Sequence, residues 1–163
     1  MPIRSAQTGD LGVMMALTQV AFGASAWSRR LMEEVLEAAV ARPGQQVAWV
    51  WEEPWGMAAA PAHRNPGGIA GYLIAQLIGR DAEIQSLAVW PERQRQGVGT
   101  ALLGDFMELA QRQGWERIFL EVRAGNEAAR KFYLRQGFED YGRRANYYHS
   151  PTEDACLMRR RAG

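Results

Sequence analysis

The stretch "LAVWPERQRQGVGTALL", residues 87–103, decides how this chain is read. Leu87, Ala88 and Val89 end a strand pattern that begins at Ala82, and Trp90-Pro91 stops it. From Gly97 onward Ala101, Leu102, Leu103, Phe106, Leu109 and Ala110 recur at helical spacing as far as Gly114, so the unit reads strand, turn, helix. Gly97 and Gly99 let backbone amides approach an anion with no Cβ in the way. The helix they open adds unpaired N–H donors and a positive dipole end. The Gly-Lys-Ser/Thr ending of a nucleotide P-loop is missing, and so is the third glycine of the dinucleotide fingerprint. Spacing alone leaves three readings: a flexible turn with a solvated Arg/Gln face, a nucleic-acid patch, or a cradle for a pyrophosphate. Glu92 beside the basic cluster, and no accompanying series of stacking aromatics, weigh against nucleic acid.

Working outward, a short strand lies around Ile3, and Asp10 to Phe22 forms a first helix with Asp10 as its N-cap. Ser28 opens a second helix that Pro43-Gly44 stops. Strands follow at Val47–Trp51 and Ile69–Ile78, separated by a loop, Glu52 to Gly68, that is long for a strand connection. After the central unit, Ile118–Val122 is a nearly continuous apolar run, as in a strand covered on both faces. Asn126 then caps a helix through Gln136, with Gly137 at its C′ position. Phe138–Tyr148 and Asp154–Met158 close the chain as an antiparallel pair. The order β-α-α-β-β-β-α-β-α-β-β describes a layered α/β or α+β domain around a mixed sheet, one domain over residues 1–163.

Composition narrows the function classes. With 163 residues, 47% hydrophobic and 23% charged, the chain can bury its own core without a disulfide or metal staple. A formal charge of +1 gives no general pull towards nucleic acid or a membrane surface. Cys156 is the one cysteine, which excludes an internal disulfide and a CxxC zinc site and suits a reducing compartment. No apolar run reaches signal-peptide or membrane-span length, so a soluble cytoplasmic protein is expected.

Read whole, residues 87–103 resemble the acetyl-CoA motif Q/R-x-x-G-x-G/A of the GNAT N-acetyltransferases, with Gln94, Gly97 and Gly99 in its fixed places. Residues 120–138, "LEVRAGNEAARKFYLRQGF", resemble that family's second signature of asparagine, tyrosine and then "GF". Further likeness at Trp27-Ser28, Arg143-Arg144, Asn146-Tyr147-Tyr148 and Glu153-Asp154-Ala155 is closest to its bacterial ribosomal-protein alanine N-acetyltransferase branch. The resemblance implies an α/β (α+β) fold. Its sheet is mixed, mostly antiparallel and six- or seven-stranded, with about four flanking helices and a splayed central strand pair. It implies acetyl-CoA as co-substrate, bound by Leu87, Ala88, Val89, Arg95, Gln96, Gly97, Val98, Gly99, Thr100 and Asn126, with no metal. The acceptor it implies is a protein N-terminal α-amine, the alternative being a small-molecule amine.

Acetyl transfer to an amine needs a neutral amine, donors for the oxyanion and a proton for the departing thiolate. By resemblance Glu121 is the proton acceptor, and burial beside Phe119 and Leu120 would raise its pKa for that role; alternatively it pairs with Arg117 or Arg123. Tyr133 falls about two helical turns after Asn126, on nearly the same face. The resemblance makes it the acid towards the CoA thiolate; otherwise it is a packing tyrosine. Asn126 can cap its helix and still offer its other amide atom to the CoA arm. The oxyanion donor implied is a main-chain N–H of residues 87–89. His63 and His149 read as surface residues, Cys156 as a buried strand residue, and Trp27, Trp55 and Trp90 as borders of a peptide groove.

Overall fold

A computed structural model describes residues 2–53 and 68–163 of the chain. The strands are β1 (Ile3–Ser5), β2 (Gln46–Glu52), β3 (Ile69–Ile78), β4 (Asp81–Val89), β5 (Arg117–Arg123), β6 (Glu139–Tyr148) and β7 (Glu153–Arg161). The helices are α1 (Leu11–Phe22), α2 (Arg29–Ala41), α3 (Val98–Gln113) and α4 (Glu127–Arg135). They surround a seven-stranded sheet of order β1-β2-β3-β4-β5-β7-β6. Every neighbouring pair is antiparallel except β4 and β5. The mixed sheet and four helices are those the sequence leads one to expect, and the last strand runs three residues beyond Met158.

Local chemistry explains most boundaries. The Ser28 hydroxyl accepts the Leu31 N–H at 3.1 Å and starts α2, while Gly114 and Gly137 carry the positive φ that lets α3 and α4 stop. Asp10 does not cap α1 through its side chain. Its carboxylate instead accepts two hydrogen bonds from Arg4, at 2.8 and 3.0 Å, and one from the Gln7 N–H at 2.7 Å. A charge-assisted pair with good geometry outweighs a single neutral cap bond, and a 3-10 turn at Thr8–Asp10 results.

Two cores lie on opposite faces of the sheet. Leu102, Leu103 and Phe106 of α3, with Tyr133 of α4, pack on one face against Ile118, Leu120 and Val122. Met14 and Leu17 of α1, with Met32 and Leu36 of α2, cover the other face against Val50, Tyr72 and Ile74.

The two faces exchange roles within β4. Ala75 pairs with Ile84 and Ile74 with Ser86, which leaves Gln85 as an extra residue, a β-bulge. Before it, Ala82 and Ile84 face α3; after it, Leu87 and Val89 do, while Ala88 turns to the α1/α2 core. The bulge is satisfied by the buried Gln46 amide, which donates to the Ala75 carbonyl at 2.8 Å and to Gln85 Oε1 at 2.9 Å. Pairing of β4 with β5 stops at the same place: Ala82, Glu83 and Ile84 meet Ile118, Phe119 and Leu120, and beyond them the two strands part.

Gly71 lies opposite Val89 at the parting. A Cβ there would come within 2.8 Å of the Ala88 carbonyl oxygen and 3.1 Å of Val98 Cγ1. Gly71→Ala is therefore expected to destabilise the fold by about 1–3 kcal/mol through overpacking against backbone that has nowhere to go. A lowered midpoint in scanning calorimetry would show it.

Candidate acetyl-transfer site

The gap between β4 and β5 is lined from several directions. The Trp90 N–H donates to the Ala70 carbonyl on β3 at 3.0 Å, so strand alternation turns the main-chain groups of Ser86 and Ala88 to β3. Those of Leu87 and Val89 face the side from which β5 has departed. The Val89 carbonyl accepts from Gln94 Nε2 at 3.2 Å, consistent with that direction. Gln94 thus ties the loop back to the strand, while Gln96 Nε2 donates to the Glu92 carbonyl at 2.9 Å within the loop itself.

The loop itself takes two left-handed residues, Arg95 at φ 61° and Gly97 at φ 87°. Arg95 has a side chain and still holds this costly conformation, a feature that clusters at ligand-binding turns. Gly97 is the N-cap of the sixteen-residue helix α3, and its carbonyl accepts the Ala101 N–H. The N–H groups of Val98, Gly99 and Thr100 come before that first helical bond and have no hydrogen bond among the described residues, which leaves them for an anion. A Cβ on Gly97 would meet no atom within 4 Å, whereas one on Gly99 would touch Phe132 at 3.4 Å and Val89 at 3.8 Å. Gly97 thus supplies the turn and an open approach, and Gly99 supplies close packing of α3 on α4. At the C-terminal end of β5, Asn126 Oδ1 caps α4 by accepting the Ala129 N–H at 3.2 Å, leaving its Nδ2 without a hydrogen bond among the described residues.

The two candidate catalytic side chains approach the gap from opposite faces. Tyr133 is buried on the α3/α4 side, held edge-to-face by Phe132 and Phe138 at 5.2 and 5.6 Å between ring centroids. Burial, then the neighbouring Tyr72 and Tyr148 phenols, pushes its pKa well above the ordinary tyrosine value. Glu121 alternates with Leu120 and Val122 and so looks to the other face, the face of α1 and α2. The apolar burial expected of it is not what the structure shows. Its side chain is 21% exposed and lies 3.3 Å from Arg144 Nε, an ion pair with neither Arg117 nor Arg123. The Glu121 carboxylate is also the first cause of a raised pKa at the Tyr147 phenol. Burial and then Glu121 raise the Tyr148 phenol to about 12. A cleft of about 190 Å³ extends from Glu121 past Phe119 and Tyr141 to Glu83 and Asp81.

Arg144 reaches Glu121 from the register of β6 on β7, and Tyr147 from a bulge that follows it. Arg144 pairs with Ala155 and Tyr148 with Glu153, so two extra residues are accommodated on β6. Asn146 takes a left-handed φ of 54°, and its N–H is held by Asp154 Oδ1 at 3.0 Å. Sequence spacing shows the Arg-Arg and Asn-Tyr-Tyr residues but neither the register that sets Arg144 against Glu121 nor the bulge that follows it. Trp90 is buried with Nε1 donating to the Ile69 carbonyl at 3.0 Å, so it is a core residue and not a groove border. Trp27 is half-buried beside the α1/α2 core, His149 is exposed and Cys156 is buried. Trp55, His63 and most of the 52–68 loop lie outside the described residues. Among the described residues no group of His, Cys, Asp and Glu could hold a metal ion, and no helix is long and apolar enough to cross a membrane.

A mixed sheet whose one parallel pair parts beside a glycine-opened helix defines an acetyltransferase fold. The acetyltransferase (GNAT) family model matches residues 27–138, and the chain belongs to that family. It is 38% identical over 94 residues to the ribosomal protein bS18-alanine N-acetyltransferase of Escherichia coli, a match covering 56% of this chain and 64% of that relative. The chain thus spans less than two thirds of the length of that relative. Over 130 residues it is 34% identical to N-alpha-acetyltransferase RimI of Mycobacterium tuberculosis, covering 71% of this chain and 80% of the relative. The crystal structure of the E. coli ribosomal-protein-S18-alanine N-acetyltransferase superposes with a TM-score of 0.80 at 28% identity, covering 99% of this chain and 93% of that one.

Proposed function

We propose that this chain transfers the acetyl group of acetyl-CoA to a protein N-terminal α-amine, of the kind that begins with alanine. The observation that carries the reading is the parted β4–β5 pair with Glu121 on one face and Tyr133 on the other. The names of the relatives in Escherichia coli and Mycobacterium tuberculosis support the choice of acceptor.

On this reading the free N–H groups of Val98, Gly99 and Thr100 and the left-handed turn at Arg95–Gly97 hold the CoA pyrophosphate, with Gln96 between them. Leu87, Ala88 and Val89 line the pantetheine path, and Asn126 Nδ2 meets its far side. The acceptor amine enters from the α1/α2 face. An α-amine has an ordinary pKa of about 7.7–8.0, so roughly a tenth of it is neutral at pH 7 and only modest help from a base is needed. The neutral fraction of the amine is the attacking species, and Glu121 takes, directly or through one water, the proton that the nitrogen sheds as the C–N bond forms and then passes it to solvent, while Arg144 and Tyr147 hold the carboxylate in place. The neutral nitrogen attacks the thioester carbon, the outward main-chain N–H groups of Leu87 and Val89 receive the oxyanion, and the C–S bond breaks. Tyr133 gives its phenolic proton to the leaving thiolate and regains one from solvent.

Incubation with acetyl-CoA and a peptide library varied at its first three positions, read by thiol release, tests the assignment. Turnover should favour free N-terminal alanine or serine and vanish on blocked peptides. Acetylation of small amines with no peptide turnover would overturn it.

A further inference from the structure

Arg123 stands two residues after Glu121, on the same face of β5, and no step above uses it. Its guanidinium makes a set of contacts that joins distant parts of the chain. Nη1 donates to Glu153 Oε1 at 3.0 Å and to the Pro151 carbonyl at 3.3 Å. Nη2 donates to the His149 carbonyl at 3.2 Å and to the Ser25 hydroxyl. The guanidinium carbon lies 4.5 Å from the centre of the Tyr148 ring. Every Nη hydrogen is used, and the flat face is used as well. Glu153 continues the chain: its other oxygen accepts the Gly125 N–H at 2.5 Å, next to the Asn126 cap.

Two segments meet on this one side chain, and a third joins them through Glu153. Ser25 belongs to the turn between α1 and α2, residues 149–152 form the turn between β6 and β7 with Glu153 opening β7, and Gly125 leads β5 into α4. The first two stand on the Glu121 face, on the acceptor side of the parted strands. Building on the acetyl-transfer reading, we propose that Arg123 is the positioning residue of the acceptor entrance, clasping the α1–α2 turn to the β6–β7 turn and setting Tyr148 beside Glu121. Lysine cannot replace it, because an ammonium is a point charge with neither a planar fork nor a stacking face.

Steady-state kinetics with an alanine-starting peptide should show acceptor KM up at least about tenfold in R123A and about fivefold in R123K. The KM for acetyl-CoA should stay within about twofold, since the cofactor loop is not among the segments held. Ser25→Ala, which removes one contact and leaves the rest, should shift acceptor KM about two- to threefold in the same direction. Hydrogen exchange by mass spectrometry on the full chain supplies a readout free of turnover. In R123A and R123K, segments 23–27 and 148–153 should speed up together while α4 keeps its protection. Should R123A fail to fold, R123K and Ser25→Ala decide. Acceptor KM within twofold of wild type in R123K, or equal rises in both KM values, would overturn the proposal, as would exchange rising in only one of the two turns. Wild-type protein that transfers no acetyl group to any peptide would sink the peptide-acceptor reading instead, and the exchange measurement would still judge the clasp.

Discussion

Tyr133→Phe is expected to lower kcat by about 10²-fold or more while acetyl-CoA binds within about twofold of wild type, since a well-placed general acid contributes on that scale. The substitution removes one oxygen and keeps the ring. The edge-to-face contacts with Phe132 and Phe138 therefore survive. The hydroxyl carries no hydrogen bond among the described residues, so the fold does not lean on it. The direction of its pKa matters too. A tyrosine donates only while neutral, and burial raises its pKa, so the donating form extends to higher pH than for a free phenol. The wild-type enzyme should then show no alkaline fall in kcat from this group below about pH 10, the ordinary tyrosine value. Steady-state kinetics paired with calorimetric titration of acetyl-CoA separates the two effects. A mutant kcat within about threefold of wild type would remove Tyr133 from the acid role.

Gly97→Val should weaken acetyl-CoA by about 100-fold or more, which at 1.4 kcal/mol per factor of ten is roughly 3 kcal/mol. The backbone at Gly97 sits at φ 87°, where a β-branched residue is a genuine outlier, so the turn must rearrange. Rearrangement takes the N–H groups of Val98, Gly99 and Thr100 off their common aim, and each bond from such a donor to a charged group is worth about 1.5–3 kcal/mol. The new side chain does not collide with the protein, because no atom lies within 4 Å of where its Cβ would stand. The loss should accordingly appear in binding, with the calorimetric melting transition still cooperative. Affinity unchanged in this variant would mean that the loop is only a turn.

What could be read from the residues was local. Gly97 and Gly137 announce their turns because only backbone conformation is at stake. Ser28 and Asn126 announce their helices because each cap bond spans three residues. Asp10 looks like the same kind of signal and fails, since Arg4, six residues earlier on β1, competes for its carboxylate. The partner of Glu121 was equally out of reach: it is Arg144, set by pairing register on a strand two positions away in the sheet. Alternation in β4 would have put Ile84 and Leu87 on different faces, and the extra residue at Gln85 puts them on one. Gly71 gave no warning at all, because its constraint is the Ala88 carbonyl of the neighbouring strand.

That extra residue has a kinetic consequence. By ending the β4–β5 ladder where it does, Gln85 leaves the sheet open between the two strands, and on the proposed reading the nucleotide-bearing thioester comes to that opening from one face and the acceptor amine from the other. Two separate approaches mean that neither substrate blocks the other's route. Both should be present together when acetyl passes, the group should never rest on the protein, and spent CoA should leave by its own side while the modified chain end is still in place.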